Sequence, residues 1–221
     1  REIVFTSGAT ESDNLAIKGV TPQGGHIVTA ATEHPAVLDT CQELERRGVA
    51  VSVLPVDSEG IVDPGRVARA IGERTALVSI MWANNETGVL FPVEKMAGMA
   101  HSAGVLFHTD AVQAVGKLPI KLRDSKIDML SLSGHKLHAP KGIGVLYLRR
   151  GVRYRPLLRG GHQERGRRAG TENSASSVAG CWAPVGPVAI RPAATPPTRR
   201  AASSTSSHTS RATASTRATA P

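Results

Sequence analysis

Apolar runs and amphipathic stretches alternate along the first 150 residues, and this rhythm constrains the fold more than any other feature. Short apolar runs fall at 2–6, 26–30, 50–56, 76–82, 105–109, 128–132 and 144–148, and helical patterns fill 11–20, 35–47, 64–71 and 93–103. Several helix ends are marked. Thr10 opens the first helix, Asp63 caps the third with Pro64 in its first position, and Gly48 and Gly104 close the second and fourth. Near-continuous apolar strands separated by helices predict an α/β fold, a mostly parallel sheet with helices on both faces. Ligands of such sheets bind beyond the carboxyl ends of the strands. Polar clusters stand at five of those ends: Ser7-Gly8-Ala9-Thr10, Thr32-Glu33-His34, Asn84-Asn85-Glu86, Asp110 to Gln113, and Ser133-Gly134-His135-Lys136.

Composition narrows the class. The 221 residues are 40% hydrophobic and 20% charged, as in a globular protein able to bury a core. Aromatics at 3% argue against a stacking surface for nucleic acid. Two cysteines, Cys41 and Cys181, form neither a disulfide framework nor a CxxC zinc pair, so no metal is expected. No apolar run approaches the roughly 20 residues of a membrane span. The chain opens Arg-Glu-Ile-Val-Phe, without Met or a signal-peptide pattern. A cytoplasmic compartment, and a start that lacks the natural N-terminus, are expected. The net charge of +9 suggests a polyanion partner only until it is divided. Five Arg and no acid lie in 179–221, which leaves 22 basic and 18 acidic residues, a net of +4, in 1–178. In 179–221, Ala, Pro, Ser and Thr supply 30 of 43 residues, too few large apolar groups to offset ordering entropy. The expected division is a cofactor-binding domain at 1–178 and a low-complexity tail at 179–221. The tail is either flexible or, the reading preferred here, the out-of-frame product of GC-rich DNA.

Each polar cluster has a chemical reading beside a plain one. The amides of Ala9 and Thr10, with the Thr10 hydroxyl, form an anion site at a helix N-terminus, or Thr10 is simply an N-cap. Lys136, after an apolar strand, is a buried amine poised for carbonyl condensation, or a solvated loop lysine. Asp110 can pair with a protonated pyridine nitrogen, or cap a helix; Gln113, one turn on, can donate to a phenolate oxygen. His34 can stack on a flat ring or move a proton, or is structural. Asn84 and Asn85 are turn residues, with Asn85 also a possible donor. Arg165, Arg167, Arg168 and Thr171 suit a phosphate or carboxylate, or form a mobile basic loop. Jointly these groups specify an aldehyde cofactor with a phosphate handle and a protonated ring, which is pyridoxal 5'-phosphate.

The segments TSGATESDN, TEHPAVLD, ANNETG, HTDAVQAVG, SGHKLHAPKGIG and GGHQERGRRAGTEN closely resemble the cysteine desulfurases of the NifS/IscS type, with QERGRRAGTEN nearer the nitrogen-fixation branch. The resemblance spans nearly all of 1–178. It implies the large domain of a fold-type-I pyridoxal-phosphate enzyme, a homodimer that takes sulfur from L-cysteine, leaves L-alanine and passes the sulfur on, by way of an enzyme persulfide, to an iron–sulfur scaffold or another acceptor protein. It implies that Lys136 bonds to the cofactor aldehyde and that Ala9 and Thr10 bind its phosphate, helped by Ser133, Gly134 and His135. Thr171 would reach the phosphate of the neighbouring subunit. Asp110 would hold the pyridine nitrogen and Gln113 the phenolate, with Asn85 nearby, while His34 would stack on the ring and transfer protons. A related class V transaminase, a selenocysteine lyase and a non-catalytic scaffold share parts of this pattern.

The departures from the family pattern also carry expectations. The family's sulfur-accepting Cys lies on a loop well downstream of RRAGTEN, and neither cysteine here matches it. Cys41 falls inside a helical pattern and is expected to be a core thiol. A chain truncated at both ends and lacking that nucleophile is expected to bind cofactor without desulfurase turnover. If 179–221 is out of frame, the DNA after codon 178 resumes strand-and-helix periodicity in another frame and supplies a loop Cys. Two featureless frames would show the tail to be genuine.

Overall fold

Seven strands and four helices form where the apolar rhythm places them, with ends moved by at most three residues. The computed structural model describes residues 2–171 and Asn173, all within Arg1–Val188, the first of two units of the chain. The tail at 179–221, Cys181 included, lies outside the described residues. The elements run β1 (Ile3–Thr6), α1 (Ala9–Val20), β2 (His26–Ala30), α2 (Pro35–Arg46), β3 (Ala50–Leu54), α3 (Pro64–Ala70), β4 (Thr75–Ser79), α4 (Val93–Ser102), β5 (Leu106–Asp110), β6 (Met129–Ser133) and β7 (Gly144–Leu148), with 3-10 turns at Gly134–Leu137 and Gln163–Gly166. No helix among the described residues is long and apolar enough to cross a membrane.

The strands form one sheet in the order β1-β7-β6-β5-β4-β2-β3. Pairing is parallel from β6 through β5, β4 and β2 to β3. Only β7 runs the other way, antiparallel to both β1 and β6. Successive side chains of a strand point to opposite faces, and both faces here are apolar. Ile27, Leu77 and Met129 enter a core with Leu15, Ile17, Val37 and Leu44 of α1 and α2. Their neighbours Val28, Val78 and Leu130 enter the opposite core with Val67 of α3 and Met96, Ala97 and Ala100 of α4. The expected two-sided burial is present.

Two boundaries differ from the sequence pattern for physical reasons. β4 ends at Ser79 rather than 82, where its pairing with β2 ends at Thr29. The Glu33 carboxylate then takes the Met81 amide at 2.6 Å, while Ile80 and Trp82 still donate to His108 and Asp110 of β5. The first helix begins at Ala9, so Thr10 lies inside it and is not its cap. Gly8 holds the cap position without a side-chain bond, and Glu11 Oε2 reaches back to the Ser7 amide at 2.8 Å and hydroxyl at 2.6 Å. The expected caps of α3 hold: Asp63 accepts from the Gly65 amide at 2.8 Å with Pro64 following.

The glycine that packing demands is Gly144. Paired with Thr6 in the register of β1 and β7, it faces Gly8 so closely that a Cβ would lie 2.5 Å from the Gly8 Cα and carbonyl carbon. Backbone cannot yield there as a side-chain tip could. Gly8 itself has extended backbone angles and open space where a Cβ would stand. Gly144→Ala should therefore lower stability by about 1–3 kcal/mol, whereas Gly8→Ala should change it little. Urea unfolding midpoints measure the difference, and equal midpoints would refute it.

Candidate active site

A cavity of about 300 Å³ opens at the carboxyl edge of the sheet, lined from the segments that follow β1, β2, β4, β5 and β6. These are the five strand ends marked by polar clusters. Nine of the sequence candidates meet there: Ala9, Thr10, His34, Asn85, Asp110, Gln113, Ser133, His135 and Lys136. Ser7, Met81, Ala83 and Val112 complete the lining together with Gly8.

At one side the first turn of α1 faces the cavity with Ala9 and Thr10. Amides in a first helical turn have no carbonyl behind them, and the helix dipole adds partial positive charge. Across β7, Ser133 Oγ and His135 Nδ1 lie 2.8 Å apart. Lys136 stands on the 3-10 turn after β6. The expectation of a buried amine at the strand end is not met, because this turn carries Lys136 out to an exposed position on the cavity wall. Gly134 is placed differently. It does not line the cavity but underlies it, donating its amide to Ile143 at 2.9 Å, and a Cβ on it would come 2.5 Å from the Ile143 side chain.

At the other side stand the acid and the imidazole. Asp110, the last residue of β5, is only 6% exposed. Burial pushes its carboxyl up, while the Val112 amide, which donates to Oδ1 at 2.9 Å, and the nearby His34 oppose the shift. Asp110 thus caps the turn after β5 and also lines the cavity. His34 also has two roles. Its Nδ1 accepts the Ala36 amide at 3.1 Å and caps α2, which leaves Nε2 as the proton-carrying nitrogen of the neutral ring. Gln113 Oε1 takes Lys117 Nζ at 2.7 Å, so its amide nitrogen remains as the donor for a ligand. The two asparagines divide their readings: Asn84 Oδ1 accepts the amides of Glu86 and Thr87 and builds the turn, and Asn85 lines the cavity.

The arginine cluster does not join the site. Arg168 Nε pairs with Glu11 Oε1 at 2.8 Å, and Arg167 donates to the Ile3 carbonyl at 2.7 Å. Arg165 is exposed. These contacts tie Arg167 to β1 and Arg168 to α1, so the mobile-loop reading does not describe them. Burial alone would raise the Glu11 carboxyl, but Arg168 and Ser7 hold it below the ordinary value. Thr171 is exposed and does not line this cavity. Cys41 is buried in α2 as expected. Burial, with Glu33 and Glu45 nearby, pushes its thiol up to about 12.

Three buried groups were not singled out by sequence reasoning. Asp13 of α1 is 1% exposed, and Glu33 and His108 are also buried. Only Glu33 stood in a polar cluster. Asp13 and His108 sit inside apolar elements, where the signal is a charged or titratable residue at a core-facing position.

An amine, a buried carboxylate and a set of anion-binding amides around one cavity are the groups an aldehyde, a cationic ring nitrogen and a phosphate would need. The Aminotransferase class-V family profile matches residues 1–183. The cysteine desulfurase of Gluconacetobacter diazotrophicus is 66% identical over 176 residues, 78% of this chain and 44% of that protein. The cysteine desulfurase NifS of Azotobacter vinelandii is 61% identical over 180 residues, 80% of this chain and 45% of its own length. Among solved structures, SspA in complex with cysteine superposes with a TM-score of 0.79 at 44% identity, covering 83% of this chain and 56% of that one. The chain thus spans less than half the length of these two curated relatives. The sheet agrees with the fold-type-I architecture expected from the motifs, and the chain belongs to the Aminotransferase class-V family, with cysteine desulfurases among its near relatives.

Proposed function

We propose that this chain is the cofactor-binding part of a cysteine desulfurase, which uses pyridoxal 5'-phosphate to take sulfur from L-cysteine, leave L-alanine and hand the sulfur to an acceptor for iron–sulfur assembly. The observation that carries the reading is the convergence of Lys136, Asp110 and the N-terminus of α1 on one cavity, in a chain 66% and 61% identical to cysteine desulfurases.

The residues fit that cofactor. Ala9 and Thr10 offer amides and a hydroxyl to the phosphate, with Ser133 and His135 adding donors from across β7. Asp110 offers a carboxylate to the ring N–H, Gln113 its amide nitrogen to the phenolate, and His34 a flat ring to stack. When bound, the cofactor supplies an electron sink for bonds to the substrate's α-carbon. Lys136 Nζ, exposed at the wall, is the amine placed to bond the aldehyde and to exchange it for a substrate amine. With Nδ1 fixed by the Ala36 amide, His34 exchanges protons at Nε2. Thr171, away from its own cavity, serves the phosphate of a second subunit in this reading. Cys41 is not the sulfur acceptor, because a buried thiol with a pKa of about 12 holds almost no nucleophilic thiolate.

Two measurements test these assignments. Purified chain soaked with pyridoxal phosphate, reduced with borohydride and digested should carry the vitamin on Lys136. Lys136→Ala should lose both the adduct and its visible absorbance, and an unchanged band in that variant would remove the central residue of the reading. At pH 8 a thiol of pKa about 12 is ionised in about one molecule in ten thousand. Cys41 should therefore resist alkylation by iodoacetamide until the chain is unfolded, and remain free of persulfide after incubation with L-cysteine. Rapid native alkylation, or a persulfide on Cys41, would contradict this.

A further inference from the structure

Pairing between β2 and β4 ends at Thr29 and Ser79, before either chain reaches the cavity. Beyond that point one chain leads to His34 and the other to Met81, Ala83 and Asn85, all on the cavity wall. The second segment is still fastened to β5 by backbone. The Ile80 amide donates to the His108 carbonyl at 3.1 Å, and the Trp82 amide to the Asp110 carbonyl at 2.9 Å. Between them the Met81 amide needs an acceptor of its own. Glu33 Oε1 supplies it at 2.6 Å. A second side chain crosses the same gap, with Asn84 Nδ2 donating to the Thr32 carbonyl at 3.0 Å. Two side chains thus stand in for the ladder where the sheet has opened. Glu33 is only 5% exposed, and its other oxygen has no hydrogen-bond partner among the described residues. Such burial is costly for an acid, and the bond to Met81 is what its position provides in return.

We propose that Glu33 is a positioning residue for His34: by accepting the Met81 amide beyond the end of the β2–β4 pairing, it sets where the imidazole stands relative to Asp110 across the cavity, with Asn84 as a second brace. The value of that placement rests on the cofactor reading above, in which His34 stacks on a ring whose nitrogen meets Asp110.

The connection is short. His34 follows Glu33 directly, Glu33 holds Met81, and the next residue, Trp82, donates to the Asp110 carbonyl. The Ala36 amide fixes the imidazole to the start of its own helix. The Glu33 bond fixes that helix start to the segment bonded to Asp110. A binding group held by a second group in this way keeps its geometry before a ligand arrives. Burial pushes the Glu33 carboxyl well above its ordinary range, with the Met81 amide opposing, so a neutral glutamine is its closest mimic.

The brace is read first without cofactor. Glu33→Gln keeps an acceptor at the same place, whereas Glu33→Leu keeps the bulk and removes it. The Met81 amide should exchange with deuterium at least about tenfold faster in Glu33→Leu than in the parent chain or Glu33→Gln. The C2–H proton signal of the His34 ring, identified by its loss in His34→Ala, should hold its place in Glu33→Gln and move in Glu33→Leu. A signal that stays in Glu33→Leu, or moves equally in both, would overturn the brace. Pyridoxal phosphate then reads the site. Its dissociation constant should rise about tenfold in Glu33→Leu and less than about twofold in Glu33→Gln. In a His34→Ala background Glu33→Leu should cost nothing further, because the tie acts through that ring. Equal losses in both backgrounds would show a merely structural carboxyl and would also overturn the proposal. Should Glu33→Leu not fold, Glu33→Met takes its place; if neither folds, the tie serves the fold and not the ring, and the proposal fails. A parent chain that never binds the vitamin would overturn the cofactor reading instead, and the His34 signal would still decide the brace.

Discussion

Gly144 in β7 meets the backbone of Gly8 with no room between them for a methyl group, and the N-terminus of α1 is placed by that contact. β7 separates β1 from β6 in the sheet, so an anion site built after β1 would stand two strand spacings from an amine built after β6. Close approach across β7 lets the first turn of α1 reach the same cavity as Lys136. Gly134 does similar work on the amine's side, by letting the 3-10 turn lie flat against Ile143. Two glycines in contact with backbone or fixed side chains thus hold the donor wall in register. The outer tie between Glu11 and Arg168 closes the back of the same helix turn.

Several residues of the cavity use one atom for the fold and another for the site. His34 caps α2 with Nδ1, Asp110 caps the turn after β5 with Oδ1, and Lys117 holds Gln113 by Oε1. Each structural bond also selects the chemistry left over: a donor Nε2, a second carboxylate oxygen, a donor amide. A side chain fixed in this way is oriented before any ligand arrives, which reduces the entropy lost on binding. Plain and chemical readings of such residues are therefore not alternatives, and weighing one against the other understates both.

Much of the architecture was legible because it depends on local pattern. Apolar strands with helices between them dictate two-sided burial, and polar clusters at strand ends converge once those strands align. What was not legible depends on contacts between distant segments. The length of β4 turns on where its pairing with β2 ends. The exposure of Lys136 turns on a 3-10 turn that its sequence does not announce. The requirement for Gly144 exists only because Gly8 lies against it, and the pairing of Arg168 with Glu11 joins opposite ends of the described chain. Asp13 and His108 are not marked by the sequence pattern, since nothing in a linear pattern says that α1 lays one polar position over another.

The same placement gives the cavity its electrical character. One wall carries the first-turn amides of α1 and the Lys136 amine, while the buried acid Asp110 lines another part of the cavity. A ligand that is anionic at one end and cationic at the other finds a matching field across the cavity, whereas a simple anion is favoured at only one end. Orientation then follows from charge separation before any single hydrogen bond is counted. The acid that is costly to bury is the one that gives a dipolar ligand its direction.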